Sequence, residues 1–190
     1  MKHFEVRSEM CEVCIIKYYQ RSLTKLVTDK TKILEDKEYI SIISNLLRKQ
    51  KVIDMRGVRQ HFNVNCFDHC LYVSYNTYLI CKKLKLDYKS AARAGMLHDL
   101  YLYDWRKREN GRKGHHAFTH PKEALKQALS IVELNDKEKD IIQNHMWPVT
   151  IWLPKYKETY IITLVDKYFG VAEAFIKSDE IVVKEKERVV

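Results

Sequence analysis

Helix breakers are scarce in this chain. Five glycines and three prolines among 190 residues leave long stretches that nothing interrupts, and they disfavour the many tight turns of a β-sandwich. The fold class expected is therefore all-α. The length suits one sizeable core and is short for two, so a single helical domain with an N-terminal extension is the simplest organisation. A composition of 46% hydrophobic and 31% charged residues is that of a soluble globular protein. No stretch approaches the roughly 18 apolar residues of a membrane span. The opening stretch MKHFEVRSEMCEVCIIKYYQ mixes acids and bases where a signal peptide has an apolar centre. A cytoplasmic protein without a membrane partner is expected.

Cys11, Cys14, Cys66, Cys70 and Cys81 are odd in number and sit in apolar, helix-like surroundings, which fits reduced core thiols better than a disulfide framework. Cys11 and Cys14 have C-x-x-C spacing, but no second pair completes a zinc site and no strand precedes them. The net charge is +9, with ten Lys/Arg against four acids between Lys82 and Lys113. A basic rim suits a small anionic, phosphorylated partner. Basic and aromatic residues do not interleave as in a nucleic-acid module, so nucleic acid is not the expected partner.

Along the chain, residues 1–28 read as a poorly amphipathic helix. The segment KEYISIISNLLRKQ places Ile40, Ile43, Leu46 and Leu47 at helical spacing. A helix is expected from Cys66 to about Lys85, and another from an Asp87 N-cap through LDYKSAARAGMLHDL. Residues 103–119, with Gly111 and Gly114, read as an exposed loop. The next helix is expected to begin with Pro121 at its first position. Asn135 and Glu138 have capping-box spacing for a helix ending before Pro148, and KETYIITLVDKYFGVAEAF is a final core helix. The tail KEKERVV should fray.

Several helices share one oddity. His69 lies between Cys66 and Val73 on an apolar face, His98 and Asp99 end an apolar turn, His145 follows Ile141 and Ile142, and Asp166 lies between Ile162 and Phe169. Each is a costly group on a face that should be dry. Any one alone reads as a hydrogen-bonded core residue. Together, two carboxylates and several imidazoles in one small helical domain point to a shared metal site, where a divalent cation offsets the carboxylates and accepts neutral imidazole nitrogen. The donor types favour Mn, Fe or Zn, with Mg less natural as imidazoles are added. The chemistry such a site suits is hydrolysis by a metal-activated hydroxide.

The ordered series His69, His98-Asp99, Asp166 resembles the HD superfamily of metal-dependent phosphohydrolases, whose motif is H…HD…D on an all-α fold. The resemblance covers roughly residues 61–175, leaving 1–60 as an N-terminal helical extension and 176–190 as a charged tail. It implies that His69, His98, Asp99 and Asp166 bind one metal, that Asp99 bridges, and that His120 and His145 complete a second site. The pattern looks like that of bacterial HD proteins with dinuclear centres that hydrolyse dinucleoside polyphosphates. This chain reads His98-Asp99-Leu100-Tyr101-Leu102 and lacks the lysine of the cyclic-dinucleotide phosphodiesterases. His98 and Asp99, with Asp104 as a further acid, are the catalytic candidates. Arg106, Lys107, Arg112 and Lys113 are the candidate substrate contacts, since loops beside rigid sites commonly supply them. His115 and His116 read as exposed loop residues, and Trp105, Trp147 and Trp152 as core aromatics.

The activity implied is cleavage of a phosphoester or phosphoanhydride of a nucleotide, or of a related compound, at a dinuclear site. One alternative is a mononuclear HD 5′-nucleotidase with His120 and His145 outside the metal shell. Another, from a different class, is a non-catalytic nucleotide sensor or scaffold. The N-terminal helices are free to pack on the core or on another subunit.

Overall fold

The structure, a computed structural model, describes residues 26, 29–61, 64–106 and 115–173. The helix expected over 1–28, Cys11 and Cys14, three of the basic loop residues (Lys107, Arg112 and Lys113) and the tail 176–190 lie outside the described residues. The described residues are all-α apart from one small ribbon. In order come α1 (Lys30–Glu35), α2 (Lys37–Leu47), α3 (Gln50–Asp54), strands β1 (Arg59–His61) and β2 (Val64–Asn65), then α4 (Cys66–Lys83), α5 (Tyr88–Leu97), α6 (His116–Leu129), α7 (Asp136–Asn144) and α8 (Lys157–Ala172). The two strands pair antiparallel. Among the described residues no helix is long and apolar enough to cross a membrane.

Helix α4 is buried over nearly its whole length, so its polar side chains must find partners inside. They do so locally. Thr77 Oγ1 donates to Val73 O at 2.7 Å and Asn76 Nδ2 to Tyr72 O at 2.8 Å, while Ser74 Oγ crosses to Ala92 O on α5 at 2.6 Å. That crossing is close because position 95 is glycine. A Cβ there would lie 2.7 Å from the Cα of Ser74, well inside contact distance. Helix α8 packs on α4 as well, and α7 lies against α5, α6 and α8.

Side-chain caps set the helix starts. Asp29, Asp36, Asn65, Asp87 and Asn135 each accept a backbone N–H of the first turn, and Asn135 with Glu138 closes a full capping box. Helix α2 buries Tyr39, Ile43 and Leu46 in the same core as α4 and α5. The Tyr39 hydroxyl donates to Ser74 Oγ at 2.8 Å. Residues 30–60 are thus built into the core rather than appended to it.

One boundary differs from expectation. Helix α6 starts at His116, and Pro121 lies inside it. The earlier start has a local cause. His115 caps the first turn, and His120, four residues on from His116, stacks on its ring with centroids 4.5 Å apart and hydrogen-bonds to its carbonyl at 2.9 Å. His116 therefore leaves the expected loop and joins the packing around the site.

Candidate metal centre

Five helices bring the six predicted ligands together in two groups sharing one carboxylate. His69, His98, Asp99 and Asp166 form the first group, and Asp99, His120 and His145 the second, with the donor atoms of each group mutually within 4.8 Å. In the first, Asp166 Oδ1 is 3.1 Å from His69 Nε2 and 3.5 Å from His98 Nε2, and Asp99 Oδ2 is 3.6 Å from His98 Nε2. In the second, Asp99 Oδ1 is 3.2 Å from His120 Nε2 and 3.5 Å from His145 Nε2. The two oxygens of Asp99 thus face different groups. That is the bridging position the resemblance assigns to Asp99.

Two of the imidazoles, with Asp99, are not inside helices as the apolar pattern implied. His98 and His145 occupy the C-caps of α5 and α7, and Asp99 lies in the turn beyond. The helix ends supply something an interior turn does not, because the last carbonyls of a helix lack an intrahelical partner. His98 Nδ1 meets Gly95 O at 2.8 Å, and His145 Nδ1 meets Ile142 O at 2.9 Å. His120 lies inside α6, and its Nδ1 meets the carbonyl of His116 within the first turn at 2.9 Å. A carbonyl only accepts, so each of these Nδ1 atoms carries a proton, and Nε2 is the nitrogen each ring presents to the cluster.

The consequence is a buried cluster of nitrogen and oxygen atoms facing one another. His120 Nε2 and His145 Nε2 stand 2.9 Å apart, a repulsive pairing of lone pairs unless a proton or a metal ion sits with them. His98 Nε2 and Asp99 Oδ1 are buried without a hydrogen bond. Leaving such atoms unpaired is costly, and one kind of ligand satisfies them all. These residues fit a divalent cation. The donors are imidazole nitrogen and carboxylate oxygen with no thiolate, as expected for Fe, Mn or Zn.

Electrostatics agree with the geometry. Burial opposes charge on Asp99 and Asp166, but His98 and His120 beside Asp99, and His69 and His98 beside Asp166, hold both carboxyls well below the usual range. Burial likewise opposes charge on His69 and His98. The Glu173 and Asp166 carboxylates outweigh it at His69 and Asp99 outweighs it at His98, so both imidazoles are raised well above their ordinary value. His145 is the exception, since burial dominates there and lowers it.

Two partners of the ligands were not predicted. Glu173, the C-cap of α8, is buried and accepts from the His69 Nδ1–H at 2.8 Å, a carboxylate of the kind that commonly orients a ligating histidine. Its position seven residues after Asp166 puts it two turns on along the same face. Gln60, on β1, donates its amide to Asp99 Oδ2.

Other expected residues stand elsewhere. Asp104 lies in neither donor group. Its carboxylate accepts from the Arg106 backbone N–H and from Arg106 Nε, each at 3.1 Å, because the short turn puts that guanidinium within reach first. Arg106 is thereby engaged at the surface beside the Trp105 ring. None of the three tryptophans is a core residue. Trp105 and Trp147 are half-buried and Trp152 is 63% exposed. Cys66, Cys70 and Cys81 are buried and unbridged, and burial pushes their thiols up.

Compared with protein-family models, with curated proteins and with solved structures, the chain matches none. The donor geometry and the helical fold are compatible with an HD-like arrangement.

Proposed function

We propose that this protein is a metal-dependent phosphohydrolase of the HD type, acting on a nucleotide or a related phosphoester or phosphoanhydride. The observation that carries the reading is the convergence of four inward-facing imidazoles and two carboxylates, with Asp99 shared between two donor groups. Bound divalent cations would supply an acidified water and positive charge at the phosphoryl oxygens, the two requirements of phosphoester hydrolysis at neutral pH. His69, His98, Asp99 and Asp166 would hold one ion, and Asp99, His120 and His145 the other. The chain's own residues prepare that site. The carbonyls of Gly95, His116 and Ile142 fix three imidazoles in one tautomer, and Glu173 fixes the fourth. The low carboxyl pKa values keep Asp99 and Asp166 anionic at neutral pH, ready to neutralise the cations. A +9 chain attracts an anionic substrate.

The test is elemental analysis of the freshly purified protein, followed by turnover of p-nitrophenyl phosphate and a dinucleoside tetraphosphate with added Mn²⁺. Asp99→Ala should lose bound metal and turnover together, because it removes a donor from both groups. An Asp99→Ala protein that keeps both overturns the reading.

A further inference from the structure

We propose that Gln60 is a positioning residue that holds the shared carboxylate of Asp99 in its bridging orientation, with Tyr101 orienting the Gln60 amide. This inference rests on the metal-site reading and deepens it. Gln60 is 4% exposed and arrives from the β-ribbon. Arg59 beside it is exposed while Gln60 is buried, and the pairing slips at Gln60, between Arg59 opposite Asn65 and His61 opposite Val64, an irregularity of the kind that re-aims a side chain toward a site. The ribbon is anchored on both flanks. Cys66 N, at the start of α4, donates to Val58 O at 2.8 Å, and Trp105 Nε1 donates to Gln60 O at 3.0 Å.

The orientation of the amide is determined by its neighbours. An ionised carboxylate only accepts, so the group facing Asp99 Oδ2 is the Gln60 NH₂. The carbonyl end of that amide accepts from the Tyr101 hydroxyl, which is itself fully buried. The chain Tyr101, Gln60, Asp99 therefore runs donor to acceptor in one direction. Around Asp99 the ligand atoms are acceptors competing for cations, whereas the Gln60 amide is a neutral donor. It fixes Oδ2 on the side of the first group, which leaves Oδ1 facing His120 and His145. Without it the carboxylate is free to rotate about its Cβ–Cγ bond and lose the division between groups. Outer-sphere partners of this kind typically change metal affinity by about 10–100-fold.

The test uses the full chain loaded with Mn²⁺, read by competition with a fluorescent chelator and by electron paramagnetic resonance, where two ions sharing a carboxylate give a spin-coupled signal. Gln60→Met keeps the packing volume and removes the donor. It should fold as the parent does by circular dichroism, bind Mn²⁺ about tenfold or more weakly, and lose the coupled signal. Tyr101→Phe keeps the ring, removes only the orienting hydroxyl, and should shift both readouts in the same direction by less. It carries the test if Gln60→Met does not fold. Parental affinity and coupling in the folded variants overturn the role of Gln60 and leave the metal site standing. A parent protein that takes up no divalent ion overturns both.

Discussion

The two halves of the donor cluster differ in charge, in support and in where they sit. The first has two carboxylates, Asp99 and Asp166, and a third, Glu173, directly behind His69. The second has only its share of Asp99, with two imidazoles held by neutral carbonyls. A dication would be more nearly neutralised in the first half, which alone has Asp166 besides the shared Asp99, than in the second. The first half is also built on α4, α5 and α8, which pack on one another. The second half takes its imidazoles from α6 and α7, further from the central helix. On the proposed reading the first would therefore be the strong, pre-organised site, and filling of the second would benefit from an anionic oxygen brought by substrate.

The sharpest way to break this comparison is to remove the carboxylate that the second half does not use. Asp166→Ala should weaken the first site by more than the roughly 100-fold ceiling typical of outer-sphere changes, while the donors of the second stay in place. Calorimetric titration with Mn²⁺ would show the strong phase vanish. If the strong phase survives and a weak one is lost, the two halves have been ranked the wrong way round.

His120→Ala should act on the other half alone. Stoichiometry falls from two ions to one with the strong phase intact, and hydrolysis of an anhydride substrate falls with it. Unchanged stoichiometry would instead favour the one-ion nucleotidase, in which His120 and His145 lie outside the metal shell.

Glu173→Gln makes a smaller change to the first half. The amide still accepts from His69 Nδ1 but no longer supplies negative charge, so His69 becomes a poorer donor. First-site affinity should fall by about 10–100-fold with second-site binding and melting temperature close to the parent. Equal losses at both sites would mean that Glu173 acts through the fold, by way of α8, rather than through His69.

How much of this was legible in the sequence follows from which side chains contrast with their surroundings. His69 and Asp166 were visible because a polar residue flanked at helical spacing by Cys66 and Val73, or by Ile162 and Phe169, has no reason to be there in a solvated helix. The scarcity of breakers gave the helical class, and Asp87 and Asn135 marked helix starts through their caps. Helix ends were harder. The apolar pattern of LHDLYLYDW runs straight through the end of α5, so His98 and Asp99 read as interior residues although the helix stops at Leu97. Pro121 suggested a start that the stacking of His116 on His120 overrides. Gln60 and Glu173 were invisible for another reason. A glutamine in a basic stretch and a glutamate at the end of a helix are ordinary surface residues, and only tertiary packing buries them.

The subtlest difference between the halves is their response to pH. Without metal, His69 and His98 have raised pKa values and Asp99 and Asp166 lowered ones. The carboxylates contribute stability that is present above their unfolded values near ~3.9 and lost as pH falls through the folded ones. The two histidines contribute stability that is fully present below about 6.5 and lost as pH rises through their raised folded values. His145, lowered by burial, opposes them on the acid side, and it belongs to the second half. The chelated protein should therefore be most stable between about pH 4 and 6.5 and should soften toward alkaline pH. Metal reverses the alkaline limb. A cation replaces the Nε2 proton of His69 and His98, binding releases protons, and affinity rises as the imidazoles become neutral. Melting curves from pH 6 to 9 should fall with EDTA and hold or rise with Mn²⁺. In Asp166→Ala the EDTA slope should flatten, since the raised His69 and His98 lose their shared partner, whereas in His120→Ala it should persist. A slope that vanishes in His120→Ala instead would place the titrating imidazoles in the second half and undo the division between the two.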